Sequence, residues 1–435
     1  MKNILLSVFS VLFASTNFLY SHVNRTKYDN GFTVIHLEKK GCGLVNVVLF
    51  LRGGSFGESD EQAGISNLAA RLLLKGTVSR DAEKIAFETE SLGATLGAGS
   101  SNDYTEISMI VPVENFTPAF SIFCDIVNNP AFPENESEKE KEKIIAGIKS
   151  KSDRIFDTAY DRFNETIYAG HPYHKPPIGY EASVSSLTLS RIKENYRKNF
   201  RPENMVMSVA GDISEENIKK IVFENFGKIK IFGMPATAES VIVPTGVKIT
   251  TAAVAGPVRI IFPGKFQQSY YFCGFLAPDA GQIEYPVLKL INGISGGGMG
   301  ARIFKNLRER SGLVYEADSF YPSRHSTGAF AVYAGTSKEN IEKVERIINE
   351  EIKKLPLVDQ QELNDAREYL KGTYLIDHRT IERQAWYLGW WEIMGKGFEY
   401  DRGYIDAINS ITVLDIKNVC EKYLTPDKMT TVIVK

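Results

Sequence analysis

Cysteine and histidine are scarce in this 435-residue chain, and the scarcity narrows its chemistry. The four cysteines, Cys42, Cys124, Cys273 and Cys420, lie far apart with no Cys-x-x-Cys pair, which excludes a cysteine-built zinc site. Their spacing sets no disulfide framework either, so their pairing is left open. Only six histidines are present. An excess of either charge is also lacking: Lys+Arg 51 against Asp+Glu 53 leaves a net −2. That balance argues against nucleic acid as the main partner, because phosphate binding wants a basic excess. Beyond the N-terminal segment no apolar run reaches the roughly 20 residues of a membrane-spanning helix. What is present is 43% hydrophobic and 24% charged, enough to bury a sizeable core. At about 100–200 residues per domain, the length predicts two to four units.

The first residues read as an address. Lys2 precedes an 11-residue apolar run, Ile4–Ala14, and polar residues return at Ser15–Asn17 before a cleavage point near Ser21. A run of that length suits a signal-peptide core and is too short to span a bilayer. No arginine precedes Arg25, unlike a mitochondrial presequence, and no cysteine stands near the cleavage region. A signal peptide over 1–21 is expected, with a mature chain that is periplasmic or secreted and has no integral membrane segment.

The chain also repeats itself. Ser186-Leu-Thr-Leu-Ser-Arg-Ile-Lys193 resembles Ser410-Ile-Thr-Val-Leu-Asp-Ile-Lys417, and Phe200-Arg-Pro-Glu-Asn-Met205 resembles Leu424-Thr-Pro-Asp-Lys-Met429. Both then enter β-rich runs, Val206–Ala210 and Thr430–Val434. Each copy reads as a Thr-capped amphipathic helix, a Pro-marked stop and a closing strand. The gapless offset of 224 residues favours tandem duplication over chance recurrence of a common pattern. The expected layout is an N-terminal half over 25–230, a Gly/Pro-containing linker over 231–248 and a C-terminal half over 249–435. Strands are predicted at Phe32–Leu37, Val45–Leu51, Thr105–Val111, Ser269–Phe275 and Gly328–Ala334. Helices are predicted at Gly64–Leu74, Phe116–Asn128, Glu134–Ile155, Tyr285–Ile294 and Lys338–Leu355. The fold class is α+β, with mostly antiparallel sheets packed by long helices and not a doubly wound parallel sheet.

Three stretches carry a resemblance: Arg52-Gly-Gly-Ser-Phe-Gly-Glu58, Ala63-Gly-Ile-Ser-Asn-Leu-Ala-Ala-Arg-Leu-Leu-Leu-Lys-Gly-Thr77 and Gly170-His-Pro-Tyr173. With the duplicated layout, they make the chain similar to the insulinase/pitrilysin family of inverted zincins. The likeness is stronger to the branch of the mitochondrial processing peptidase and two-chain bacterial peptidases. Active members carry His-x-x-Glu-His on the first helix, two imidazoles for zinc and a carboxylate as general base. The matching positions here are Asn67, Ala70 and Arg71. The family's third ligand, a glutamate on the following charged helix, falls on Gly147. An amide is a poor zinc ligand, alanine takes no proton and arginine repels the cation. The resemblance therefore implies that this chain holds no catalytic zinc. His171-Pro-Tyr-His174 lies in a proline-containing loop without a helical face and reads as structural. His22, His36, His325 and His378 are isolated in the sequence.

The second half carries Gly293-Ile-Ser-Gly-Gly-Gly-Met-Gly300, then a predicted helix Ala301–Arg310, a stop at Ser311-Gly312 and a strand at Leu313–Tyr315. This loop lacks the Gly-Lys-Ser/Thr ending of a P-loop and the ordered glycines of a dinucleotide fingerprint. In the resembling family it is a flexible element facing the other half's active site, here with Gly293, Gly296, Gly297, Gly298 and Gly300. Arg308 and Tyr315 match the family's Arg/Tyr signature. A guanidinium and a phenolic O–H can stabilise the oxyanion of peptide hydrolysis or hold the peptide in register. Leu92–Thr105 resembles the family's substrate-pairing edge strand. Gly97 and Gly99 weaken strand propensity there, so peptide capture at this half is expected to be poor.

The expected function is the non-catalytic subunit of an extracytoplasmic heterodimeric zinc metallopeptidase. Its partner would be a homologous chain with intact His-x-x-Glu-His and zinc, and this chain would supply Arg308 and Tyr315 to the peptide substrate. The alternative is a homodimeric pseudopeptidase that binds peptides or scaffolds a complex without turnover.

Overall fold

The computed structural model describes residues 23–227 and 257–435. The expected signal peptide and linker lie outside the described residues. The described chain is α+β and is built as two similar halves. The first sheet has six strands: β1 (Val23–Lys27), β2 (Thr33–Glu38), β3 (Leu44–Arg52), β4 (Thr95–Ser100), β5 (Tyr104–Pro112) and β6 (Met205–Gly211). They are ordered β1-β2-β6-β3-β5-β4. The second sheet has five: β7 (Val258–Phe262), β8 (Gln268–Ala277), β9 (Val314–Phe320), β10 (Gly328–Ser337) and β11 (Thr430–Val434). Their order is β7-β11-β8-β10-β9, the same path without the extra first strand. In each sheet one parallel pair, β2 with β6 and β7 with β11, sits among antiparallel neighbours. The last strand of each half is thereby inserted inside its sheet, β6 between β2 and β3 and β11 between β7 and β8.

The repeat carries through to local structure. Helix Leu189–Asn199 is capped by Thr188, and helix Val413–Tyr423 by Thr412, each hydroxyl accepting from a first-turn N–H. A 3₁₀ turn at Pro202–Asn204 recurs at Pro426–Lys428. Proline at the first position of both turns stops the helix and turns the chain into the closing strand.

One helix of each half crosses to the other half's sheet. Ile155–Ile167 and Ile381–Ile393 are 13 residues each. From the first, Phe156 and Phe163 pack on Phe272 of β8, with ring centroids 5.7 and 5.6 Å away. From the second, Trp386 meets Phe50 of β3 edge-on at 6.1 Å and donates its indole N–H to Glu106 at 2.8 Å. Arg52 donates to the Ile393 carbonyl at 2.5 Å. Gly389 is buried where a Cβ would lie 2.6 Å from Phe50 and 2.9 Å from Ser208, so only glycine lets this helix rest on β3 and β6.

Two sequence expectations need correction. The charged helix expected over Glu134–Ile155 ends at Ser152, where Asp153 and Arg154 close tight turns onto Ser150 and Lys151, and a separate helix, Ile155–Ile167, then starts. The break turns the apolar face of the second helix toward the other half, a different surface from the one covered by the first. The segment expected as one helix over Ala301–Arg310 is a single α turn, Arg302–Phe304, running into a wider π turn, Lys305–Arg310. β4 forms in full despite the weak strand propensity of Gly97 and Gly99. A Cβ on Gly97 would sit 2.8 Å from the Ser108 hydroxyl on β5, so glycine suits the close pairing there.

Candidate functional site

Helix Ile65–Leu73 carries Asn67, Ala70 and Arg71. Its first turn is held by the buried Glu58, whose two carboxylate oxygens accept the N–H groups of Gly64 and Ser66, both at 2.8 Å. Burial pushes the Glu58 carboxyl up, and those two N–H bonds pull against it. Gly64 has φ 93°, and a Cβ there would lie 2.7 Å from the Ile178 carbonyl. The motif residues before the helix thus cap it and let the loop at Ile178–Gly179 approach.

On this helix Asn67 is half-buried and its amide nitrogen has no partner among the described residues. Ala70 is fully buried, and the cavity that touches it has a volume of about 20 Å³, room for about one water. Arg71 reaches Glu140 on helix Glu134–Ser152 at 3.7 Å, joined by Lys75 at 3.5 Å and Lys143 at 2.8 Å. Burial opposes the charge on Glu140, but Lys143 and Lys75 outweigh it and hold the carboxyl below its usual range. Gly147 lies about two helix turns further along, where a Cβ would meet only Ile178 at 3.8 Å. An amide, a methyl, a guanidinium and a hydrogen do not fit a zinc ion. The carboxylate that Arg71 reaches, Glu140, already faces three cations. Among the described residues no group of three or more His, Cys, Asp or Glu could hold a metal.

The Gly170-His-Pro-Tyr173 loop ties the halves together. His171 is buried and accepts the Tyr173 N–H at 3.1 Å, while its other ring nitrogen lies 3.2 Å from Ser326 of the second half. Burial, with Lys175 and His174 nearby, pushes its pKa down to about 4. The Tyr173 hydroxyl donates to Asp103 and accepts the Ser326 N–H at 3.1 Å, with Arg324 5.3 Å above the Tyr173 ring.

In the second half, helix Tyr285–Ser295 runs into the glycine-rich loop. Gly293 makes ordinary contact with Ala366, whereas a side chain at Gly296 would collide with the Ser319 backbone of β9. Gly297 is pressed against Gly293 and the Tyr369 ring, Gly298 has φ 139°, and Gly300 has open space. A cleft of about 780 Å³ lies beneath Gly297–Ala301. Arg308 stands exposed on the π turn, 5.4 Å over the ring of Phe304. Tyr315 is 60% exposed on β9, the free edge of the second sheet. The β9–β10 pairing slips there: Val314 faces Thr336 and Glu316 faces Gly335, leaving Tyr315 as the extra residue of a bulge. Bulges re-aim a side chain, which is why Tyr315 projects while its neighbours Val314 and Ala317 pack inward. No hydrogen bond joins Arg308 to Tyr315, and neither head group bonds to another described residue. The π turn and the bulge had no signal in the sequence, since both arise from register rather than residue type.

Comparison with known proteins now bears on this geometry. Residues 34–179 match the family described as insulinase (peptidase family M16), and residues 186–370 match the peptidase M16 inactive domain. An uncharacterized zinc protease of Rickettsia felis is 27% identical over 412 residues, covering 92% of this chain and 94% of that protein. The crystal structure of a protease from Helicobacter pylori superposes with a TM-score of 0.87 at 20% identity, over 95% of this chain and 99% of that one. A peptidase M16 inactive domain from Pseudomonas fluorescens gives 0.81 at 23% identity, over 95% and 98%. With two models of the family matched in order over residues 34–179 and 186–370, the chain belongs to the insulinase family of peptidases, M16.

Proposed function

We propose that this chain is the non-catalytic subunit of a two-chain zinc metallopeptidase acting outside the cytoplasm. The observation that carries the reading is the contrast between its halves. In the first, Asn67, Ala70, Arg71 and Gly147 stand where a zinc site would need donors, and Arg71 turns to Glu140. In the second, Arg308 and Tyr315 are exposed at a glycine-rich loop and a sheet edge with no described partner for their polar heads. Relatives called zinc proteases support a peptidase setting, and the N-terminal apolar run supports export. The partner is a homologous chain with intact His-x-x-Glu-His, which carries the zinc. Arg308 and Tyr315 reach its substrate, where an extended peptide pairs with edge strand β9 through backbone bonds.

The tagged mature chain, purified from its own host, is expected to bring a stoichiometric second chain with His-x-x-Glu-His and zinc. In that assembly Arg308→Ala and Tyr315→Phe should each lower kcat, up to the roughly 10²–10³-fold that loss of one oxyanion donor costs, with assembly unchanged. Unchanged kcat in both variants overturns the assigned role. A zinc-free homodimer that binds peptide without turnover would replace this reading with the pseudopeptidase.

A further inference from the structure

A second cavity, of about 890 Å³, lies at the junction of the two halves; it meets the glycine-rich loop at Gly297 and β9 at Asp318 and Ser319, and neither Arg308 nor Tyr315 lines it. Ser101, Asp103 and Tyr104 line it from the first half, and helix Tyr285–Ser295 with the Tyr369–Trp391 segment lines it from the second. Its size is that of small-molecule sites, which are mostly apolar with a few placed polar groups. The apolar wall is aromatic and includes Tyr285, Tyr374, Tyr404 and all three of the chain's tryptophans, Trp386, Trp390 and Trp391.

Charge in this cavity is unevenly matched. Arg383 is neutralised by Asp377 through two hydrogen bonds of 3.0 and 2.6 Å. Arg324 lies in the field of the buried Asp103. Arg379 also lines the cavity, but it is exposed and donates to the Ile376 carbonyl. Lys289 is more enclosed, and no carboxylate among the described residues pairs with it. Its ammonium donates once, to the Tyr321 carbonyl at 2.8 Å, and sits 5.2 and 5.3 Å from the Tyr285 and Tyr321 rings. An ammonium has three N–H donors, so two are left for a guest. Burial pushes the Lys289 pKa down to about 8, which still leaves the side chain mostly charged at neutral pH. Asp318 also lines the cavity and would repel a dianion such as phosphate more than a monoanion.

We infer that this junction cavity binds an organic carboxylate with an aromatic or apolar body, its oxygens on the Lys289 ammonium and its body against the tyrosines and tryptophans. Two sources share that chemistry, the C-terminal carboxylate of a peptide and a free organic acid. A ligand held there touches both halves and would draw them together.

The tryptophans make the test direct, because each of them lines the cavity. N-acetyl-phenylalanine, its amide and 3-phenylpropionate are titrated into the full-length mature chain while tryptophan emission is followed. A saturable change is expected with the acids and at least about tenfold weaker binding for the amide, the size of one charge-assisted hydrogen bond. Tighter binding of N-acetyl-phenylalanine than of 3-phenylpropionate assigns a peptide terminus, and equal binding assigns a free organic acid. Lys289→Gln, which keeps a donor for the Tyr321 carbonyl, should abolish the preference for acid over amide. Equal affinity of wild type for acid and amide, or no saturable change up to millimolar acid, overturns the proposal even if Lys289→Gln fails to fold.

Discussion

Glu140 shows how one substitution propagates at the scale of a residue. With arginine at position 71, this buried carboxylate serves three cations, Arg71, Lys75 and Lys143. Its pKa in the fold is held below the usual glutamate value, so it adds stability that is present above that value and is lost as pH falls through the depressed one. Glu140→Gln is expected to lower stability by about 1–3 kcal/mol at neutral pH, with the gap to wild type closing below roughly pH 4. Thermal melts of both proteins from pH 3 to about pH 7 would check it. A gap that stays constant with pH would mean that Glu140 acts by packing and not by charge. The residues that depart from the zinc frame could be read without coordinates, because a metal site is a demand on residue type at fixed spacing. That Arg71 would turn to Glu140 could not, because the two lie on separate helices and meet only through packing.

At the scale of an element, the most legible pieces were those whose signals are local. Thr188 and Thr412 cap their helices, and the prolines at 202 and 426 stop them, as side-chain chemistry within a few residues requires. Helix Phe116–Asn128 and strand Thr430–Val434 have the limits that their patterns predict. Elements defined by a partner were less legible. β4 contains two glycines and forms because β5 pairs with it, and Tyr315 projects because β9 slips against β10. Helix Ile381–Ile393 depends on the same kind of fit, since Gly389 faces Phe50 and Ser208 with no room for a methyl. Gly389→Ala should cost about 1–3 kcal/mol through overpacking, despite alanine's better helix propensity. A higher Tm for the variant would show that the helix can shift off β3.

Across the whole molecule, the exchanged helices join the two sheets. Phe163 is fully buried, yet it packs on Phe272 and Phe320 of the half to which it does not belong in sequence. Phe163→Ala is expected to cost about 3–5 kcal/mol and to leave one unfolding transition for both halves. Coincidence of tryptophan emission with far-UV circular dichroism during denaturation would check this, because all three tryptophans lie on the other exchanged helix, Ile381–Ile393. Two separated transitions would show that the halves fold independently. By itself the sequence determined the α+β class, the 224-residue repeat, the strands and helices with strong local patterns, and the residue types unfit for zinc. Each of these depends on chemistry or periodicity within one stretch of chain. Only the tertiary structure decided which sheet each crossing helix covers, where Glu140 finds its cations, how a bulge aims Tyr315, and that Lys289 and three tryptophans share a cavity. Those outcomes depend on surfaces brought together from distant parts of the chain, and close packing leaves no room for alternatives once they meet.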